Sequence, residues 1–471
     1  MPKLPGFLQF TGARGFTFPW MIPGHACERK AVGLEHAGVR IRGDPIHDFV
    51  GHVPFPAVEV GYNRTIPSNS RNPLMQYRRF GRTELEMPVF SCGGMRYQHQ
   101  WQDVPMSEVP PDGQANLEAT VRRALELGIH HIETARGYGS SERQLGRLLP
   151  TLPREQLILQ TKIQPARDPA EFVRHFQESL ERMRVEYVDL LAIHGINNER
   201  ELGYAVRRNG CLAAARQLQR EGRARHIGFS SHGLPDVVYD AVQWEADGGF
   251  DYVNLHWYYI YQKNWPAIEA AARRDMGVFI ISPSDKGGML YRPPGKLVDL
   301  CQPLHPLVFN CLWCLSHPQV HTLSIGAARP TDFDLQLECL KYGDQAKTLL
   351  PAIEGRLRRA MESAVGAKVA ERYAEGLPHW EETPGMINLP AILWLRNLAL
   401  GWDLRDYARM RYNLLGNGGT WFAGLHAGYA SDSDLSASIA KSPFSEHIPG
   451  WLAEAHQLLY QAPKKRLSQN G

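Results

Sequence analysis

Eight short apolar runs, each followed by a stretch with helical periodicity, constrain this chain more than any other feature. The runs are "VFSCGG", "HHIET", "LILQTK", "YVDLLAIHG", "ARHIGFSS", "YVNLHWYY", "GVFIISPS" and "HTLSIGAA". Each is too short for an ordinary helix and suits a strand buried on both faces. Between them lie amphipathic segments such as "ANLEATVRRALELG", "DPAEFVRHFQESLERMR" and "LPDVVYDAVQWEA". In the second, Phe172, Phe176, Leu180 and Met183 recur at steps of three and four, which is one face of a helix. In "SSERQLGRLL", Ser140 or Ser141 is placed to cap a helix. Eight alternating units predict an α/β fold, a closed (β/α)8 barrel, spanning about residues 75–343. A doubly wound open sheet is the competing arrangement. No G-x-G-x-x-G follows the first run to support it.

The flanks read differently. Residues 1–74 are rich in Pro, Gly and Arg and hold no sustained period, so they are expected to be poorly ordered, with Met75 a candidate true start. "MQYRRFGRTELEMPVFSCGG" predicts a short hairpin leading into the first run. From Asp344 to Gly471 the strand signal stops. Leu350, Ile353, Leu357, Met361, Val365 and Val369 keep helical spacing, and "IPGWLAEAHQLLY" does the same. Residues 344–471 are therefore expected to form an all-α extension packed on the barrel, ending in a frayed "KKRLSQNG".

A chain of 471 residues has room for two domains. Its net charge of +3 argues against nucleic acid or an anionic membrane as partner. No run approaches the ~20 apolar residues of a spanning helix, and no signal peptide is apparent. Seven scattered cysteines do not form a disulfide framework, which points to a reducing cytoplasm. Cys311 and Cys314 form a C-x-x-C within an apolar helix. With no second pair to complete a metal site, they read as core residues.

Barrel enzymes carry their chemistry at the C-terminal ends of strands and in the loops that follow. Reading only those positions selects Glu133, Tyr138, Lys162 and His194, with Ser230, Ser231 and Asn254 nearby. A phenol is a poor acid, with an unperturbed pKa of about 10. A neighbouring ammonium stabilises the phenolate and is expected to bring that pKa down. A carboxylate beside the ammonium keeps it charged, and an imidazole can orient a carbonyl. Such a set donates a proton to a ketone or aldehyde oxygen. The hydride must then come from a cofactor, which implies a nicotinamide.

"HIETARGYGSSE", "LQTK", "LLAIH", "RHIGFSSH" and "SIGAARP", in this order and spacing, resemble the aldo/keto reductase superfamily from about Met75 to Leu340. The resemblance implies Tyr138 as general acid, Lys162 as its modulator and His194 as the carbonyl-orienting group. It assigns Ser230, Ser231 and Asn254 to the nicotinamide carboxamide. Lys286, Gly287 and Gly288 fall in the loop over the pyrophosphate, and Gly93, Gly94 and Met95 flank the nicotinamide ribose. Gly326, Ala327, Ala328 and Arg329 fall at the adenosine phosphate, where Arg329 would favour NADP(H) over NADH. Where the family usually has Asp, this chain has Glu133, whose extra methylene must be accommodated. The extension resembles the C-terminal ferredoxin-like segment of one branch of these reductases. No cysteine follows Cys339, so no iron–sulfur cluster is expected there.

Blander roles compete. Tyr138 alone could be a rim aromatic, and His194 alone a core histidine. His130 and His131 start their strand and read as structural. Trp257 and Tyr258 either pack or line the pocket, and Arg96 meets either a substrate anion or solvent. The leading expectation is reduction of a small-molecule carbonyl. Its alternatives are a cofactor-binding regulatory or scaffold protein with little turnover and, more remotely, a barrel metallohydrolase. Neither the substrate nor a protein partner is legible.

Overall fold

The computed structural model describes residues 74–417 and 422–461. The expectations of disorder before Leu74 and of a frayed tail concern residues outside that range, as does Cys27.

A hairpin of β1 (Tyr77–Arg79) and β2 (Glu86–Pro88) comes first, with Tyr77 opposite Pro88. Eight parallel strands follow: β3 (Phe90–Gly93), β4 (His131–Glu133), β5 (Ile158–Ile163), β6 (Val188–His194), β7 (Ala224–Ser230), β8 (Tyr252–Leu255), β9 (Gly277–Ile280) and β10 (Thr322–Ile325). Each neighbours the next, and β10 pairs with β3 to close the barrel. Every predicted run supplies one strand, and the open-sheet alternative is excluded.

Helices sheath the strands. The helix Pro169–Met183 shows why the sequence folds as it does. Asp168 caps it by accepting from Ala170 N at 2.9 Å, Pro169 opens it, and Arg184 ends it in a left-handed conformation. Phe172, Phe176, Leu180 and Met183 are buried, as their spacing predicts. Ser140 precedes the helix Ser141–Leu148, but its hydroxyl does not cap that helix; it bonds Gln144 Oε1 at 2.8 Å and accepts from His99 N.

Inside the barrel, Ile158, Leu190, Ala192, Tyr252 and Phe279 form a separate apolar cluster with Phe80 and Met87. The hairpin thus plugs the N-terminal end, Phe80 lying 5.7 Å from Tyr252 ring to ring. Above it sits a polar layer in which Ser91 bonds both His131 and Thr322, and His131 Nε2 lies 3.1 Å from Gln160. His130 stacks on Tyr77. Both histidines are structural, as expected.

After β10 the described chain is helical. The helices Ala346–Val365 and Ala367–Arg372 break at Gly366, and Leu389–Trp402 and Arg405–Tyr412 break at Asp403, each with positive φ. Aromatic contacts fasten this extension to the barrel. Tyr259 lies 5.8 Å from Trp402, Tyr261 lies 5.9 Å from Trp394, and Trp313 Nε1 donates to Glu354 at 2.7 Å. Cys311 and Cys314 sit in a helix, Pro306–Leu315, that is buried on all sides. Their thiols are free, and burial holds both above the usual range, Cys311 at about 12. No helix among the described residues is long and apolar enough to cross a membrane.

Candidate active site

Along three strands, steps of two run from the apolar floor to a polar rim: Ile158, Gln160, Lys162 on β5; Leu190, Ala192, His194 on β6; Tyr252 and Asn254 on β8, with His256 just past its end. Register fixes their height. His194 pairs with Ser230, and Ser230 with Asn254, so these three stand level at the C-terminal face.

Lys162 lies at the centre. Its amine donates to Thr134 O at 3.0 Å and to Tyr138 Oη at 3.1 Å, and it forms an ion pair with Glu133 Oε1. Three acceptors thus match the three donors of an ammonium. The side chains of Lys162 and Glu133 are 1% and 4% exposed. Glu133 Oε1 lies 3.5 Å from the Tyr138 hydroxyl. Its longer side chain is accommodated against Gly93, where an added Cβ would stand 3.3 Å from Glu133 Oε2. Gly94 must approach just as closely, because its N–H donates to Glu133 O at 2.7 Å. The His194 ring meets Tyr138 edge to face with centroids 5.7 Å apart. The four expected groups therefore converge.

The phenol does not shift as the sequence suggested. Burial pushes Tyr138 above its ordinary value, and burial pulls the Lys162 ammonium well below its own. Tyr138 is therefore protonated at neutral pH, the state a proton donor needs. The Lys162 amine, 3.1 Å from its oxygen, does not ionise the resting phenol. Burial, then the charge of Lys162, hold His194 down at about 3. Its imidazole is neutral, and its buried Nδ1 makes no hydrogen bond among the described residues.

The amide of Asn254 is fully buried, and neither Oδ1 nor Nδ2 has a partner among the described residues. A carboxamide offers the complementary acceptor and donor, so this position fits a nicotinamide. Ser230 Oγ accepts from Gly195 N at 3.1 Å and keeps its own proton to donate. Ser231 is already engaged: it donates to Ile196 O at 2.6 Å and accepts from Gly233 N at 3.0 Å. Gly326 receives Arg96 Nη1 at 3.2 Å, which bridges the loops after β3 and β10, and Arg96 also lies over the Tyr291 ring. Ala327 is buried and Ala328 N donates to Asp332. Arg329 is exposed and paired with Asp332 at 3.1 Å, so a 2′-phosphate would compete with that carboxylate.

Lys286 reaches further inward than its loop position suggests. Its amine lies 3.1 Å from His232 Nδ1 and 3.1 Å from His256 Nε2. Burial, then Arg411, lower it to about 7, against an opposing effect of Asp285. His256 Nδ1 lies 2.5 Å from the Tyr258 hydroxyl, which donates to Ile281 O. Tyr258 therefore supports His256, while Trp257 packs between Trp265 and Trp313. Sequence reasoning missed His232 and His256. Their signal was available: each follows the chosen polar residues at a strand end. Among the described residues no three His, Cys, Asp or Glu side chains gather as a metal site.

Residues 90–292 match the aldo/keto reductase family. The chain is similar to L-galactose dehydrogenase of Arabidopsis thaliana, 32% identical over 178 residues, covering 36% of this chain and 51% of that protein. It is also similar to L-glyceraldehyde 3-phosphate reductase of Escherichia coli K12, 30% identical over 174 residues, covering 34% and 46%. The chain thus spans about half the length of the curated relatives it matches. Among solved structures it is similar to the holo form of an aldo-keto reductase from Bacillus halodurans, at 19% identity and a TM-score of 0.47, covering 60% of this chain and 96% of that one.

Proposed function

From the match of residues 90–292 to the aldo/keto reductase family, we propose that this chain reduces an aldehyde or ketone to an alcohol with NADPH. The observation that carries this reading is the Tyr138–Lys162 contact of 3.1 Å, buttressed by Glu133 and faced by His194.

When bound, the nicotinamide supplies a hydride to the carbonyl carbon. The chain's own residues do the rest. His194, neutral, donates an N–H to the substrate oxygen and aligns it with the Tyr138 hydroxyl. Tyr138 gives its proton to that oxygen as negative charge builds there. Lys162 donates to the emerging phenolate, and its near-complete exclusion from water strengthens that interaction. Glu133 keeps the amine protonated in a setting that disfavours charge. Asn254 and Ser230 would hold the carboxamide. Lys286, Gly287 and Gly288 would cover the pyrophosphate. Gly94, Met95, Gly326, Ala327 and Arg329 would border the ribose and adenosine phosphate.

Tyr138→Phe tests the reading. The hydroxyl is lost and the ring retained, so NADPH binding, read by nucleotide fluorescence, stays near wild type while turnover across an aldehyde and ketone panel disappears. A variant that keeps its turnover refutes the assignment.

A further inference from the structure

The loop after β9 carries charges that face opposite ways. Lys286 points to the barrel and meets His232 and His256. Its neighbour Asp285 points to the helical extension, where Arg411 Nη2 donates to its Oδ2 at 2.8 Å. Arg411 is on the helix Arg405–Tyr412, 7% exposed, with its guanidinium over the Tyr407 ring. Asp285 is 51% exposed, so the buried partner belongs to the extension and the accessible one to the loop.

Apolar packing reinforces this contact. A Cβ on Gly288 would lie 3.4 Å from Leu404 of the extension and 3.7 Å from Ile260 of the barrel, so the loop passes between the two. The loop is also backbone-constrained: Ser282, Gly288 and Met289 all have positive φ. The extension can hold it firmly, because the extension is itself fastened to the barrel through Trp402 and Trp394.

We infer that Arg411 and Asp285 form a latch through which the helical extension holds the Lys286 loop over the bound dinucleotide and sets its rate of release. This rests on the proposed reading that the loop crosses the pyrophosphate. Arg411 and Asp285 are positioning residues, acting through the loop backbone and Lys286. The extension thereby acquires a role in the catalytic cycle at a distance in sequence from every barrel residue. A dinucleotide held under a latched loop leaves only when the ion pair opens, so release becomes a gating step.

The test is stopped-flow release of NADPH from the full-length protein, with melting temperature measured in parallel. Asp285→Asn keeps the shape of a half-exposed side chain and removes its charge. It is expected to speed release about fivefold, with a melting temperature lowered by at most about 1–2 °C and a release rate that no longer rises with salt. Asp285→Glu, which keeps the charge, is expected to release at near the wild-type rate. Arg411→Met provides the second arm, and the double variant should release no faster than the quicker single one, as coupled partners require. Equal release from Asp285→Asn and wild type, or effects that simply multiply in the double variant, overturns the latch. Should Arg411→Met fail to fold, the Asn and Glu variants decide alone. A wild-type protein that binds no NADPH overturns the proposed function, and the latch with it; a protein that binds NADPH but releases it identically in all variants overturns the latch only.

Discussion

Replacing Glu133 with Gln isolates the electrostatic support of the site. Gln preserves shape and removes one charge. Lys162 then remains 1% exposed without its counter-ion, in a position where burial already disfavours the ammonium. Removing one member of a buried pair costs about 3–5 kcal/mol. At roughly 2 cal/mol/K of unfolding entropy per residue, a folding unit of some 400 residues loses about 1.2 °C per kcal/mol, so the melting temperature should fall by about 4–6 °C. The rate should fall further. Lys162 escapes part of the penalty by losing its proton, and a neutral amine stabilises a phenolate poorly. Loss of one such donor costs about 10²–10³ in kcat. Because the surviving activity belongs to molecules whose lysine stays charged, it should decline as pH rises, more steeply than in wild type. Asp at the same position keeps the charge and removes one methylene, for about 1 kcal/mol of stability and a much smaller loss of rate. The assays are thermal unfolding by circular dichroism and single-turnover NADPH oxidation from pH 6 to 9. A Gln variant within about twofold of wild type in rate and with an unshifted melting curve would refute the claim that this carboxylate keeps Lys162 charged.

Further outcomes follow from the titrating groups. Lys286 sits at about 7 in the folded chain against 10.5 unfolded. The unfolded state therefore binds its proton more tightly, and this group lowers stability as pH falls from 10.5 to about 7. Binding an anion requires the charged form, so NADPH affinity should weaken as pH rises above about 7, by up to tenfold per unit, and Lys286→Met should flatten that slope in a fluorescence titration. His194, held at about 3, should show no ring titration by NMR between about pH 5 and 9, and His194→Ala should lower kcat/KM about 10²-fold or more. The described cysteines are all buried, so a thiol reagent should label at most one of the seven, Cys27, before unfolding.

The barrel was legible because a strand buried on both faces is short, apolar and bounded by turn residues. Polar residues at or near strand ends, as Lys162 one residue before the end of β5 and His194 at the end of β6, marked the candidate rim directly. What the sequence concealed depends on three-dimensional surroundings. Whether Lys162 or burial governs the Tyr138 phenol is a matter of solvent exclusion, which no local pattern encodes, and burial prevails. The triangle of His232, His256 and Lys286 joins three separate loops, each innocuous alone. Arg411 reaches the barrel from a helix more than a hundred residues beyond Asp285, and nothing in its own amphipathic segment marks it out. Arg329 had a visible partner at Asp332, three residues on, that the reading of the phosphate loop overlooked.

The central claim is that this buried phenol, backed by its lysine, protonates a carbonyl as hydride arrives. The most direct measurement supplies NADPH with both hydrogens at nicotinamide C4 replaced by deuterium, together with an aldehyde, then weighs the alcohol by mass spectrometry. The account predicts an alcohol one mass unit heavier with wild type, and unlabelled aldehyde recovered from Tyr138→Phe that still binds the nucleotide. Label appearing in the product with both proteins alike, or with neither, would contradict it.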